Sequence, residues 1–338
     1  MAAYVRRLTE EIGEKARPEY EIATLYLGGG TPSLLPPALM EQVLSALHAH
    51  FSFAPGAECS CECNPGTVTA GFLRVLKAGG INRLSFGAQA GQERLLRLLG
   101  RIHTWEQVVA SVALAREAGF ENINLDLMLG LPTQTVSDVK ETLEKALALS
   151  PTHLSCYGLI VEEGTPLKAR IDRGEWQLPE EAAERDMYEL CRATLAEHGF
   201  RQYEISNFAL PGRACRHNVD CWHRKEYLGV GSAACGFLDG VRYQNPPALE
   251  DYLRGAPAKA TVLSPEDARF ESVMLGLRLT EGLSEEAFEH MHGVTLDQAF
   301  PGKMDRSIQA GLLKRENGFL TLTRRGMDLQ NRVLVDFL

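Results

Sequence analysis

The sequence predicts an α/β protein: a parallel (β/α) barrel over residues 1–207, followed by a C-terminal helical, winged-helix-like module. Three observations point to it. Strand-like and helix-like segments alternate as far as Ile160, at the spacing of parallel strands joined by right-handed crossovers. Gly28, Glu62, Gln89 and Asp126 stand at or near the ends of those strands, where barrels collect their ligand sites. From Ser264 onward the texture changes to short helices and a hairpin. The alternation alone would fit a doubly wound sheet equally well; the placement of the polar residues favours the barrel.

Taken in order, Thr24–Leu27 reads as a buried strand ending at Gly28-Gly29-Gly30. Pro36–Phe51 reads as a helix with Leu39, Met40, Val43, Leu44 and Leu47 on one face. Glu58–Cys63 is a second strand, stopped by Asn64-Pro65-Gly66. Thr69–Ala78 is a helix closed by Gly79-Gly80, and Asn82–Phe86 a third strand. A helix over Thr104–Ala118, a strand over Ile123–Leu129, a helix over Val136–Leu149 and a strand over His153–Ile160 follow. Leu178–His198 reads as a long helix and Arg201–Asn207 as one more strand. Residues 208–263 form a connecting segment whose Tyr227–Ala234 stretch reads as a strand and turn of small residues. Residues 264–338 should hold helices at Pro265–Thr280, Ser284–Met291 and Lys303–Ala310. A hairpin over Leu312–Thr323 turns at Asn317-Gly318, and a last helix covers Arg324–Phe337.

Composition narrows the function. Hydrophobic residues make up 45% and charged residues 23% of the 338, an ordinary globular balance. The formal charge of −9 argues against a nucleic-acid footprint and against a polybasic membrane contact. The C-terminal module has nine basic residues against twelve acidic ones, so it reads as a docking or structural unit rather than a DNA reader. No apolar run approaches the roughly 20 residues that span a bilayer, and the first residues hold no secretory h-region. Eight cysteines without disulfide-scaffold density point to a reducing, cytoplasmic setting.

Gly28-Gly29-Gly30-Thr31-Pro32-Ser33 follows a strand directly, and three glycines let backbone approach a ligand closely. It is neither a dinucleotide fingerprint nor a P-loop, and a tight βα turn explains it as well. Further on stand Glu62-Cys63-Asn64-Pro65-Gly66-Thr67, Asn82-Arg83-Leu84-Ser85-Phe86-Gly87-Ala88-Gln89 and Leu99-Gly100-Arg101-Ile102-His103-Thr104. Asn124 through Pro132, Tyr203 through Ala209 and Cys215-Arg216-His217-Asn218 complete the set. In order and spacing these motifs resemble the coproporphyrinogen-oxidase-like radical S-adenosylmethionine (SAM) proteins, and their haem chaperone (HemW) branch more than the true oxidase. The likeness runs the length of the chain.

The resemblance implies roles for matching positions. Gly29, Gly30 and Thr31 would meet the methionine end of SAM, and Glu62 its ribose or amino group. Gln89, Arg101 and Asp126 would line the same cavity. A zwitterionic sulfonium suits carboxylates for its positive centres and Arg for its carboxylate. Radical members also carry Cys-x-x-x-Cys-x-x-Cys after the first barrel strand to hold a [4Fe-4S] cluster. Here the first cysteine is Cys59, and Met1–Ile12 resembles the helix that follows that loop. The expectation is therefore a partial barrel lacking its first strand and cluster loop, either a piece of a longer chain or a protein without radical chemistry, and inactive in that chemistry as given. Cys59, Cys61 and Cys63 alternate along a strand, so if Glu62 faces the interior they face the helices as small hydrophobes.

Cys215-Arg216-His217-Asn218-Val219-Asp220-Cys221-Trp222-His223 supports three readings. His217 resembles the haem-binding His of the chaperone family's His-Asn-x-x-Tyr-Trp, with Cys221 in the Tyr position and itself able to offer a thiolate. Cys215, His217, Cys221 and His223 would make a crowded zinc set. Or His217 and Asn218 tie a loop by hydrogen bonds. The resemblance implies haem binding and delivery to a client haemoprotein, with haem and SAM as ligands and a homodimer allowed. The competing functions are oxygen-independent coproporphyrinogen III oxidase and a zinc-stabilised binding protein.

Overall fold

A computed structural model describes residues 1–338. Helix α1 (Ala2–Lys15) leads into strand β1 (Glu21–Leu27), and the chain then winds through α2 (Pro37–His50), β2 (Ser52–Cys63), α3 (Ala70–Ala78) and β3 (Arg83–Gln89). Next come α4 (Glu93–Leu98), α5 (Trp105–Glu117), β4 (Asn122–Leu129), α6 (Val136–Leu147) and β5 (His153–Gly158). The local chemistry explains the boundaries. The Thr69 hydroxyl accepts from Phe72 N at 3.1 Å to start α3, and reciprocal capping boxes, Thr104/Gln107 and Thr135/Asp138, start α5 and α6. Gly80 then turns the chain at φ +84°.

Strands β1 to β5 pair in parallel, in order, as a curled half-barrel. The sheet does not close, and its far end is not parallel. After α7 (Pro166–Asp172) and α8 (Glu181–Glu197), the expected strand Arg201–Asn207 divides into β6 (Arg201–Gln202) and β7 (Asn207–Ala209). Both pair antiparallel, and the final order is β1-β2-β3-β4-β5-β7-β6. Buried Glu204 causes the interruption: its carboxylate accepts from Ser206 N at 2.9 Å and from Asn207 Nδ2, which bends the backbone between the two pieces.

The two faces of the half-barrel differ completely. Outward stand Leu25, Cys59, Cys61, Cys63, Leu84, Phe86, Leu125, Leu154 and Cys156, packed against the helices in one large core. The expectation for the alternating cysteines is met: Cys59, Cys61 and Cys63 are buried, and burial pushes the Cys59 thiol up to about 11. Inward stand Thr24, Tyr26, Glu58, Ser60, Glu62, Arg83, Ser85, Asn124, Asp126, His153 and Ser155.

Beyond β7 the connecting segment carries α9 (Arg216–Trp222) and an antiparallel sheet, β8 (Cys235–Leu238), β9 (Val241–Gln244) and, after α10 (Leu249–Leu253), β10 (Lys259–Val262). The strand expected over Tyr227–Ala234 reduces to one bridge, Tyr227 to Phe237. The glycines there meet other parts instead: a Cβ on Gly229 would strike the Cys235 carbonyl, and Gly231 N donates to Glu11 Oε2 at 2.9 Å. Four helices rather than three follow: α11 (Pro265–Gly276), α12 (Glu285–His292) after the short β11 (Leu283–Ser284), α13 (Leu296–Ala299) and α14 (Asp305–Gln309). The hairpin β12 (Leu313–Glu316) and β13 (Phe319–Leu322) turns on Asn317 and Gly318, both at positive φ. The last helix breaks at Leu329 into α15 (Arg324–Asp328) and α16 (Gln330–Val335). These pieces enclose a second core around Phe288, Phe300, Leu320, Val333 and Phe337.

Candidate functional site

The inner face of the half-barrel is layered, because side chains two apart on each strand point the same way. Near the carboxyl ends of the strands lies the first set. Gly29 and Gly30 hold φ of +75° and +71°, and a Cβ on either would meet nothing within 4 Å, so the loop presents bare backbone to open space. Gly28 is different: a Cβ there would come within 2.8 Å of the Tyr26 ring and 3.0 Å of Glu62. Glu62 ties the loop to the sheet, accepting from Gly29 N at 3.1 Å and from Tyr26 Oη at 3.1 Å. Thr31 accepts from Asn64 Nδ2 at 3.1 Å, which anchors the loop to the end of β2.

Asp126, one register step along on β4, accepts from Asn124 Nδ2 at 2.7 Å and from Ser85 Oγ at 3.1 Å. Burial nevertheless raises its pKa above the usual carboxylate value, because those donors and the Arg83 charge offset the desolvation only partly. Gln89 closes β3 at φ +65° and accepts from Tyr157 Oη at 3.5 Å. Burial, with the Asp126 charge beside it, raises the Tyr157 hydroxyl above its usual value. The Arg101 guanidinium has no side-chain partner within the protein.

Beneath this layer lies the second set. Arg83 is 2% exposed, and no protein atom hydrogen-bonds or ion-pairs its guanidinium. Its cross-strand neighbour Ser60 is fully buried and its hydroxyl is also unpartnered. A neutral His153 completes a single chain of hydrogen bonds. Asn124 donates to Asp126, His153 Nδ1 donates to Asn124 Oδ1 at 2.6 Å, and Tyr203 Oη donates to His153 Nε2 at 2.8 Å. Tyr203 Oη in turn accepts from Cys215 N at 3.3 Å. Burial and the Arg83 charge hold His153 well below the usual imidazole value, so this tautomer persists through neutral pH.

Helix α9 lies across the open side of this face, against β1. Glu58 receives its first residues, accepting from His217 N at 3.2 Å and from the Cys215 thiol at 3.5 Å. Burial pushes that thiol up to about 12. The His217 ring stacks on Tyr26 with centroids 5.0 Å apart, and its Nδ1 lies 3.2 Å from Thr24 Oγ1. Burial holds it below the usual value, hence neutral. With Nδ1–H donated to the threonine hydroxyl, Nε2 keeps its lone pair, the arrangement of a metal-ligating imidazole. Cys221, one turn along α9, sets its Sγ 3.9 Å from that Nε2.

The structure therefore brings Gly29, Gly30, Thr31, Glu62, Gln89 and Asp126 to the inner face and His217 to its flank, and it leaves Arg101 in the loop after α4 with its guanidinium unpaired. It does not assemble the zinc set. Cys215 turns inward to Glu58, while His223 lies on the exposed far end of α9, 3.3 Å from Glu281. No three His, Cys, Asp or Glu residues are grouped to hold a metal ion. The residues present do not fit a [4Fe-4S] cluster, since the three clustered cysteines face the apolar layer. They do fit SAM: bare glycine backbone and the Glu62 and Asp126 carboxylates stand on one face. Sequence reasoning missed Tyr26 and Tyr157. Tyr26 joins the two sets, bonded to Glu62 on one side and stacked on His217 on the other. Its inward register with Thr24, two residues before Gly28, was the available signal.

Residues 3–146 match the Radical SAM superfamily model and residues 263–329 the HemN C-terminal domain model. The chain is 36% identical to the haem chaperone HemW of Lactococcus lactis, covering 99% of this chain and 89% of that one. To HemW of Bacillus subtilis it is 35% identical, over 99% of this chain and 91% of that one. To HemW of Escherichia coli it is 34% identical, over 94% and 84%. The structure of coproporphyrinogen III oxidase HemN from E. coli superposes with a TM-score of 0.85 at 24% identity, over 99% of this chain and 82% of that one, a likeness of fold.

Proposed function

The chain belongs to the haem chaperone HemW family of the radical SAM superfamily, and from that premise we propose that it binds haem through His217 and delivers it to a client haemoprotein. The observation that carries the reading is the state of His217: a neutral imidazole, oriented by Thr24 and Tyr26, with Nε2 free of any strong donor. Imidazole is a good axial ligand to haem iron. Glu58 fixes the turn that carries it by binding the His217 backbone N–H.

At the other end of the same face, Gly29, Gly30 and Thr31 would meet the methionine portion of SAM, Glu62 and Asp126 its positive centres, and Arg101 its carboxylate. SAM bound there supplies a charged sulfonium, while Tyr26 and Tyr157 line its approach. The residues present do not fit the cluster that would reduce the sulfonium.

Haem titration followed by absorbance tests the main reading. His217→Ala should lose the imidazole-ligated spectrum and bind haem at least about tenfold more weakly, roughly the 1.4 kcal/mol of one ligand contact. Spectra and affinity identical to the unaltered protein would sink the assignment. Calorimetry with SAM tests the pocket: Asp126→Asn and Arg101→Ala should each weaken an interaction measurable in the unaltered chain.

A further inference from the structure

Between the end of α9 and the C-terminal module lies an open cleft of about 370 Å³, a volume in the range of small-molecule pockets. Trp222 and Arg224 line it from the α9 side, and Ser272, Leu283, Ala287 and Met291 from the module. None of them serves the haem or SAM readings above. The Arg224 guanidinium uses Nε on Glu271 at 3.2 Å, but Nη1 meets only the Met291 sulfur at 3.7 Å. Ser272 Oγ reaches the same sulfur, also at 3.7 Å, so three side chains converge there. Arg269 stands one turn before Ser272 on α11 and so shares its face. Its guanidinium makes no hydrogen bond or ion pair within the protein, and its Nε is sealed from solvent. The Trp222 Nε1–H is also buried without an acceptor. The local charge is therefore unbalanced. Arg224 and Arg242 share the one carboxylate of Glu271, His223 pairs with Glu281, Arg278 pairs with Glu204, and Arg269 has no counterion. On a chain of net charge −9, this spot carries excess positive charge beside apolar side chains.

We propose that this cleft binds an apolar monocarboxylate, its carboxylate taken by Arg269 and the free edge of Arg224 and its hydrocarbon laid along Leu283, Ala287 and Met291. A planar guanidinium fork matches a carboxylate in shape and charge, and the hydrocarbon gains by leaving water. A polyanion fits less well, because only Arg269 lacks a counterion and Glu271 and Glu281 repel further negative charge. A neutral apolar guest would leave the guanidinium unpaired. The same chemistry is offered by a free short-chain acid and by the carboxyl end of a polypeptide with an apolar last side chain. The site stands independently of the haem reading.

The test is calorimetry on the full chain with hexanoate, N-acetyl-leucine, hexanol and inorganic phosphate. At least one of the two acids should bind saturably, and hexanol and phosphate at least about tenfold more weakly than that acid. Tighter binding of N-acetyl-leucine would assign the site to a chain terminus, and tighter binding of hexanoate to a free acid. Arg269→Gln should weaken the acid about tenfold while leaving the urea midpoint in place, since that guanidinium has no partner to lose. Ala287→Leu, which fills the cleft from the surface of α12 without changing charge, should weaken it as well. The Trp222 indole N–H, assigned with Trp222→Phe, should shift in a proton–nitrogen correlation spectrum when the acid is added. No saturable binding of either acid would overturn the proposal. So would hexanol binding as tightly as the acid, or acid binding unchanged in both Arg269→Gln and Ala287→Leu.

Discussion

Neighbouring residues of one strand, Arg83 and Leu84, show how differently the two faces of the half-barrel are built. Leu84 is fully buried among helix side chains, as are Phe86, Leu125 and Cys61 beside it. Arg83 is equally buried, yet its guanidinium has no bonded partner, and Ser60, Ser85 and Asp126 surround it with more polar atoms. The outward face satisfies the physics of a core, with apolar surface removed from water at native density. The inward face violates it, holding desolvated charge that its own protein neutralises only in part. Stability therefore comes from one face of the sheet and chemistry from the other, and substitutions should separate the two.

The largest separation is expected from Phe86→Ala. Removing a fully buried ring from the outward face should cost about 3–5 kcal/mol, read as a lower urea midpoint with unchanged slope. The same variant, while folded, should titrate haem and SAM as the unaltered protein does. A loss of ligand affinity matching the loss of stability would break the division between faces.

A smaller effect should come from the inward face as pH falls. His153 is neutral and buried, with a folded pKa well below its unfolded value of about 6.5. The unfolded state then binds a proton that the folded state refuses. This contribution is complete above pH 6.5 and is lost as pH drops below it, by up to roughly 1.4 kcal/mol per pH unit. His292, held at about 4 by burial beside Arg224 and Arg269, acts in the same direction from the C-terminal module. Urea midpoints between pH 7.5 and 5.5 should fall, and His153→Gln should flatten the fall. An unchanged slope would mean that His153 charges without opening the chain of hydrogen bonds to Tyr203.

The smallest effect is expected for Asp126→Asn at pH 7. Burial already disfavours the Asp126 charge, so its neutral isostere should shift stability by less than about 1 kcal/mol, even though SAM affinity falls. A loss of several kcal/mol would show that the inner carboxylate is a structural post rather than a ligand group.

The alternation of strand and helix, the outward turn of Cys59, Cys61 and Cys63, and the placement of Gly28, Glu62 and Gln89 at strand ends were all legible in the sequence, whereas Asp126 sits in the middle of β4. Each follows from periodicity and local chemistry. What escaped depends on distant partners. Glu204 splits a strand through bonds to its own downstream backbone and an ion pair with Arg278 at 3.0 Å. Tyr227–Ala234 has the composition of a strand but lies against Tyr4 and Glu11 of α1, more than 200 positions away. Tyr26 stands in an otherwise apolar strand run, and its role comes from distant partners, its hydroxyl on Glu62 and its ring on His217.

The distribution of thiols gives the molecule a built-in clock. Six of its eight cysteines are sealed, Cys59, Cys61, Cys63, Cys156, Cys191 and Cys215, while Cys235 is exposed and Cys221 half-buried. A thiol reagent should mark Cys235 at once and Cys221 soon after. It then waits on openings of the sheet for the rest, so the slow phase of labelling counts how often the strands part from their helices. Cys215, the one sealed thiol under α9, would report a different event: the lifting of that helix from the barrel's open side.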